Sequence, residues 1–259
     1  MLALSSWSGP YGHIHPGITL KPALHCLALL VFKIAGQKLL HGLINTIMAG
    51  KISAVKDKAY PTTLEGIRQF YDEWAPTYDK DLAHGNYTAP RWSAEAMAKL
   101  VINKDAEIMD MACGTGLVAQ ELIQHGFKNI DGVDISTESL NISKETGIYR
   151  RLICDRIGTN KLDIKDDTYD GLVLCGALAQ GHLNQECFPE LIRIVKPGGL
   201  IVFNVRSKTM DTYEKFKDGK FDTDLQELVR KGLWVKEAYE LIPDLILNEP
   251  GHQYVYKVV

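Results

Sequence analysis

Asp110, Gly114, Gly116 and Asp134 are spaced as a nucleoside-binding site requires. They lie in the stretch Glu107 to Ser136, EIMDMACGTGLVAQELIQHGFKNIDGVDIS, which reads as strand, glycine-rich turn, helix and second strand. Glu107–Met111 is a short, mostly apolar run, the pattern of a buried parallel strand. In Cys113-Gly114-Thr115-Gly116 the glycines tolerate positive φ and let backbone approach a ligand closely. Leu117–His125 carries apolar residues at helical spacing, closed by Gly126 as a C-cap. Ile130–Val133 is the next strand, and Asp134 stands at its carboxyl end, 18 residues after Gly116. Open parallel sheets bind ligands outside the carboxyl ends of their strands. A carboxylate there can accept hydrogen bonds from two ribose hydroxyls. This stretch is expected to bind a nucleoside-containing cofactor.

Gly114-Thr115-Gly116-Leu117-Val118-Ala119 also fits G-x-G-x-x-A, so a nicotinamide or flavin dinucleotide is a rival ligand. Two features tilt the choice. Asp110 puts an acid beside the turn, where a pyrophosphate would be repelled and a cationic amino group welcomed. Farther on, Ile192–Phe203 reads as a helix end, a Pro-Gly-Gly turn and a strand. Taken together, D-x-A-C-G-T-G, the Asp134 strand end and V-K-P-G-G resemble the class I S-adenosylmethionine-dependent methyltransferases, over roughly Leu64 to Val205. The flap Tyr71-Asp72-Glu73-Trp74-Ala75-Pro76-Thr77-Tyr78-Asp79, the segment YRRLIC, the turn LVLCGAL and PELIRIVKPGGL are similar to the Williams–Beuren syndrome region methyltransferase-like group.

The resemblance implies a Rossmann-like α/β fold. Its sheet would have seven strands, mostly parallel with an antiparallel C-terminal hairpin, and helices on both faces. It implies S-adenosylmethionine as cofactor, with S-adenosylhomocysteine as product, and in-line methyl transfer to a small-molecule or protein acceptor that it does not identify. It places Tyr78 near the methionine end of the cofactor. Ala112, Cys113, Gly114, Thr115 and Gly116 become the loop around it, and Asp134 and Ile135 the ribose side. Cys154 and Asp155 stand where the adenine is approached, although Asp155 can instead pair with Arg156. Cys175, Gly176 and Ala177 pass beneath the sulfonium. Ala112 stands where many of these enzymes have glycine, and its methyl is accommodated if φ is negative there.

The remaining chain must position these residues. Thr63 can cap a helix carrying Leu64, Ile67 and Phe70, which Pro76 breaks. A second helix is expected over Asn86–Leu100. Ser136 can cap a helix ended by Gly147, followed by strands at Tyr149–Cys154 and Asp170–Leu174. A helix at Glu186–Lys196 and a strand at Leu200–Val205 come next. Thr209–Lys231 reads as an insert or helix overhanging the pocket, and Trp234–Leu241 with Gln253–Val259 as the terminal strands. The domain is expected to cover 60–259, with its helical flap at 62–100 and its core at 105–259.

If the acceptor arrives protonated, a general base is needed, and His182 at the mouth of the site is the candidate, ahead of Tyr78 and Asp79. No metal is required, and five cysteines without a C-x-x-C pair indicate neither zinc nor a disulfide framework. They suit a reducing compartment, so cytoplasm or nucleus is expected rather than secretion.

Residues 1–59 hold six lysines and one acid, while the remainder holds 23 basic against 31 acidic residues. That acidic balance argues against a nucleic-acid groove, and no N-P-P-Y or D-P-P-Y segment follows the fourth strand, so DNA is not expected as a partner. The apolar run Ala23–Phe32 is closed by Lys33, well short of the ~20 residues that span a bilayer. Residues 1–47 read as a dispensable extension, and a chain beginning at Met48 is expected to fold and bind ligand as well as the full one. A monomer is expected. Two other functions remain in play: a nicotinamide-dependent oxidoreductase, weakened by the lack of an obvious Tyr-x-x-x-Lys pair, and a non-catalytic S-adenosylmethionine-binding module.

Overall fold

A computed structural model describes residues 61, 63–83 and 85–259. The expectations for residues 1–47 lie outside these. Among the described residues no helix is long and apolar enough to cross a membrane.

The strands are β1 (Glu107–Met111), β2 (Asn129–Asp134), β3 (Arg151–Cys154), β4 (Tyr169–Leu174), β5 (Val195–Arg206), β6 (Trp234–Ile246) and β7 (Glu249–Val258). They form one seven-stranded sheet in the order β3-β2-β1-β4-β5-β7-β6. Pairing is parallel from β3 through β5, and β7 runs antiparallel to both β5 and β6. The winding reverses at β1, where the chain first builds outward through β2 and β3 and then returns to lay β4 on the other side. A crevice opens above the carboxyl ends of β1 and β4 at that switch point.

Alternation along each strand divides the core between the two faces. Met109, Met111, Leu172, Leu174, Ile201 and Phe203 face one side. There they meet α6 (Phe188–Ile194) and α8 (Lys220–Arg230), which bury Phe188, Leu191, Phe221 and Leu225. On the other side Ile108, Val173, Leu200 and Val202 pack with Met97 of α3 (Ala89–Leu100) and with Val118 and Leu122 of α4 (Leu117–Gln124). Central strands covered on both faces have no room for polar residues, so the polar ones that do occur there stand out.

The helix α1 (Leu64–Trp74) starts where Thr63 Oγ1 accepts from the Gly66 N–H. A 3₁₀ turn at Ala75–Thr77, with proline in its first positions, separates it from α2 (Tyr78–Ala83). After β2, Ser136 Oγ accepts from the Ser139 N–H and starts α5 (Thr137–Glu145).

Several expected boundaries shift. The helix expected from Asn86 begins at Ala89, because Asn86 turns the chain with φ of 48° and Pro90 favours a helix start. The helix expected over Glu186–Lys196 is a 3₁₀ turn, Gln185–Cys187, followed by the seven residues of α6. Thr209–Lys231 is neither one overhanging insert nor one helix. Its first part belongs to α7 (Ser207–Thr212), beside the crevice, whereas α8 buries Phe221, Leu225 and Leu228 in the core.

Candidate active site

The glycine loop is clasped by the carboxylate at the end of β2. Asp134 Oδ2 accepts from the Gly114 N–H and Oδ1 from the Ser136 N–H, both at 2.8 Å. The Cys113 N–H bonds the Val133 carbonyl at 3.0 Å, and Ser143 Oγ donates to the Gly114 carbonyl at 2.7 Å. Burial raises the Asp134 carboxyl above its ordinary range, against the lowering effect of those backbone donors. Each oxygen of a carboxylate has two lone pairs, so the clasp does not exhaust what Asp134 can accept.

Three loop residues are left-handed: Ala112 (φ 57°), Gly114 (54°) and Gly116 (96°). The condition set for Ala112, a negative φ, is therefore not met. The loop turns upward at this residue and imposes the left-handed backbone, which costs a Cβ-bearing residue on the order of 1 kcal/mol. The two glycines are needed for different reasons. A Cβ on Gly114 meets nothing within 4 Å and would enter the crevice, whereas one on Gly116 would press against the Tyr149 ring at 3.3 Å.

Above the loop lies a cavity of about 290 Å³. Tyr78, Ala112, Gly114, Asp134, Ile135, Cys175, Gly176, Ala177 and His182 line it, all of them residues marked out by the sequence. The other marked residues stand behind or beside it. Asp110 is buried below the loop, where Tyr149 Oη donates to its Oδ2 at 2.7 Å while Oδ1 has no hydrogen-bond partner. Burial pushes its carboxyl up to about 7, against the lowering effect of the Tyr149 bond. Cys113 is buried, and a Cβ on Gly132 of β2 would come within 2.9 Å of its sulfur. Thr115, also buried, donates to Asp79 of the flap. Cys154 is exposed beside Thr137, and Asp155 Oδ1 accepts from the Arg156 N–H at 2.7 Å.

Other contributors escaped the sequence reading. Ile157 lines the cavity three residues beyond β3; its signal was a lone isoleucine in the polar run Asp155-Arg156-Ile157-Gly158. Asn204 is buried in β5, with Oδ1 accepting from the Gly176 N–H at 3.0 Å and Nδ2 donating to Ser93 Oγ at 2.9 Å. It holds the turn after β4 in place, and an asparagine inside LIVFNV was the clue. Asp72 Oδ1 accepts from Ser136 Oγ at 2.7 Å and from the Glu138 N–H at 3.2 Å, which fixes α1 to the start of α5. Inside the flap, Trp74 Nε1 and Thr77 Oγ1 both donate to the buried Asp81, each at 2.9 Å.

A second cavity of about 360 Å³ adjoins the first, and Tyr71, Tyr78, Gly176, Gly181 and His182 line both. At that junction the Tyr71 hydroxyl is 2.8 Å from His182 Nε2, and His182 Nδ1 is 3.1 Å from the Gln180 carbonyl. A carbonyl only accepts, so Nδ1 carries the ring proton and Nε2 accepts from Tyr71. Burial lowers the His182 pKa, which keeps the ring neutral near pH 7.

The family model described as a methyltransferase domain matches residues 109–203, from β1 through β5 with the clasp and the turn after β4. Human methyltransferase-like protein 27 is 36% identical over 167 residues, covering 64% of this chain and 66% of that protein. Residues 109–203 thus match a methyltransferase domain, in a chain that resembles the class I S-adenosylmethionine-dependent methyltransferases. A putative methyltransferase of Bacillus subtilis (strain 168), YqeM, is 27% identical over 58% of this chain and 61% of its own length. The chain thus matches just under two thirds of these relatives. A putative methyltransferase solved in complex with the Trm112 activator of Haloferax volcanii superposes on the methyltransferase fold with a TM-score of 0.57. It is 16% identical, covering 74% of this chain and 96% of that one. The [4+2]-cyclase SpnF superposes with 0.58 at 15% identity, covering 78% and 97%. At such identities the likeness concerns the fold, and the cyclase shows that the fold alone does not dictate the reaction.

Proposed function

We propose that this chain is an S-adenosylmethionine-dependent methyltransferase, with the cofactor in the cavity above the glycine loop and the acceptor in the adjoining one. The observation that carries this reading is Asp134, clasped to Gly114 and Ser136 yet standing at the cavity wall. The cavity suits this cofactor. Among the described residues no lysine or arginine lines it, so a dinucleotide's pyrophosphate would meet no cationic side chain of theirs, whereas a sulfonium is favoured beside the Tyr71 and Tyr78 rings.

In this reading Asp134 accepts from the ribose hydroxyls, while Ile135 and Ile157 give the base apolar walls. The backbone of Gly114, Gly176 and Ala177 allows close approach where side chains would intrude. Bound there, S-adenosylmethionine supplies a methyl group that a lone pair on the acceptor can displace in line. The protein's share is positioning and exclusion of water, and the flap bonds of Asp72 and Asp79 hold the walls in place for it. Where the acceptor atom carries a proton, His182 Nε2 takes it, exchanging the Tyr71 hydroxyl for the acceptor's. Neutral His182 is the competent form, and its lowered pKa keeps it so below pH 7. The domain boundary proposed for 60–259 and a location in cytoplasm or nucleus accord with the reading.

Calorimetric titration of the full chain with S-adenosylmethionine and with NAD is the test. Binding of S-adenosylmethionine alone, weakened by Asp134→Ala, is the expected result. Binding of NAD in its place would make the glycine loop a dinucleotide site and overturn the proposal.

A further inference from the structure

The wall of the second cavity carries a hydroxyl whose partner is weak. Tyr87 lines that cavity from the link between α2 and α3. Its ring packs against both the sheet-face cluster around Met97 and the flap cluster of Trp74, Leu82 and Ile246. Backbone bonds fix the link to the end of β6. The Leu247 N–H donates to the Gly85 carbonyl at 2.6 Å and the Thr88 N–H to the Leu245 carbonyl at 3.1 Å. Thr88 Oγ1 donates to the Asp244 carbonyl at 2.7 Å. The half-buried Tyr87 side chain is thus held from several sides. Its hydroxyl lies over Gly176, which lines both cavities, close enough to exclude any Cβ there.

Among the described residues this hydroxyl has one hydrogen-bond partner, Cys175 Sγ at 3.5 Å. A thiol is a weak donor and its sulfur a weak acceptor. The polar chain behind it has a direction. Asn204 Oδ1 accepts from the Gly176 N–H, so Nδ2 is the donor, to Ser93 Oγ at 2.9 Å and to Cys175 Sγ at 3.4 Å. The sulfur accepts on that side, which makes its own proton available to the Tyr87 oxygen and leaves the phenol proton to the cavity. Burial raises the Tyr87 pKa, so that proton is present at neutral pH.

On the reading that the first cavity holds the methyl donor, we infer that Tyr87 orients the acceptor, its hydroxyl donating to a carbonyl or hydroxyl oxygen that the acceptor carries beside the atom to be methylated. An oxygen lone pair meets this proton, whereas an ammonium group, such as a protonated lysine side chain, brings only donors. Tyr71, Trp74, Leu82 and Leu245 around it select an apolar body behind that oxygen, and the cavity is of small-molecule size.

Two probes of one shape test this: 2-acetylnaphthalene and 2-isopropenylnaphthalene, in which a methylene group replaces the carbonyl oxygen. Each would be titrated into the full chain with S-adenosylhomocysteine present, in wild type and in Tyr87→Phe. The ketone should lose about fivefold or more in the variant, as for a neutral hydrogen bond removed, while the hydrocarbon stays within about twofold. A merely structural role would weaken both alike. An equal change in the two, an unchanged ketone, or no binding of the ketone to wild type at millimolar concentration would each overturn the inference. The infrared carbonyl stretch of the bound, isotope-labelled ketone reads the bond directly. It should lie below its frequency in hexane and return toward that value in Tyr87→Phe. A hexane-like frequency in wild type, or one that the substitution leaves unchanged, would refute the bond, and the first of these does not need the variant to fold. Titration of wild type with S-adenosylmethionine in parallel separates the two levels. Absence of that binding removes the methyl-donor reading, whereas intact binding with ketone and hydrocarbon affected alike removes only the role of Tyr87.

Discussion

Replacing Asp134 with alanine should damage the loop and the cofactor site by separable amounts. On the protein side it removes the acceptor for two backbone donors, Gly114 N–H and Ser136 N–H, each bonded at 2.8 Å. Unsatisfied buried donors cost about 1–3 kcal/mol each. The penalty is offset in part because burial already disfavours the Asp134 charge. A net loss of ~2 kcal/mol is expected, or a fall in Tm of roughly 4–8 °C for a domain of this size. On the ligand side, leaving two ribose hydroxyls unpaired is worth a further ~1–3 kcal/mol, or about 5- to 150-fold in affinity. Asp134→Asn should not rescue the clasp, since its amide nitrogen would face one of the two N–H donors. Differential scanning fluorimetry without ligand and calorimetry with S-adenosylmethionine read the two effects apart. An unchanged Tm would refute the clasp, and a folded variant binding within about threefold of wild type would refute the ribose role.

Three further perturbations have defined outcomes. Asp110 keeps its proton up to about pH 7 in the folded protein but loses it near 3.8 when unfolded, so stability should fall as pH rises between those values. Asp110→Asn should therefore be nearly neutral at pH 4 and raise stability by up to ~4 kcal/mol at pH 8, and denaturant titrations showing no such pH dependence would dismiss the buried, ionising carboxyl. Gly176→Ala should fail because its Cβ would lie 2.2 Å from the Tyr87 hydroxyl in a left-handed turn, and Tyr87→Phe should rescue part of the loss, since the next contact is at 3.4 Å. A double-mutant cycle with coupling below ~0.5 kcal/mol would contradict that geometry. Thr115→Val cuts the bond between the glycine loop and Asp79, and should weaken S-adenosylmethionine about fivefold, mainly through faster release in stopped-flow measurements.

The fold was legible where local chemistry and global position agree. Period-two apolar runs, the capping serine at 136 and the glycines at 126 and 147 declare their elements because nothing distant has to be known. The clasp was half legible. Asp134 at a strand end pointed to ribose, but its bonds to Gly114 and Ser136 depend on the curvature of a loop that sequence spacing does not define. Ala112 misled for the same reason: an alanine ordinarily reports negative φ, and only the path from β1 into the turn forces it positive. Of the three flap aspartates, Asp72, Asp79 and Asp81, the sequence singled out only Asp79, as a lesser candidate base. Each has a separate partner: Asp81 bonds Trp74 within the flap, whereas the Ser136 partner of Asp72 and the Thr115 partner of Asp79 are found only when α1 and α2 are laid on the sheet.

Those aspartates also bear on how the two cavities are coupled. Tyr71 and Tyr78, which line both, sit on the flap that Asp72 ties to the start of α5 and Asp79 ties to the glycine loop. The loop and the start of α5 are the same two segments that Asp134 joins from within the sheet. Whatever occupies the ribose side of the first cavity therefore bears on the segments that hold the aromatic wall of the second. Filling the first cavity should order Tyr71 and Tyr78 and, through the Tyr71–His182 bond, set the ring at the junction. Acceptor binding should then be tighter after the cofactor than before it, and reciprocally so, because a coupling free energy between two sites acts equally in both directions. With 2-acetylnaphthalene as the probe, its affinity with and without S-adenosylhomocysteine, set against the affinity of S-adenosylhomocysteine with and without 2-acetylnaphthalene, should change by one common factor. A factor of one would mean that the flap bonds are rigid supports that transmit nothing between the cavities.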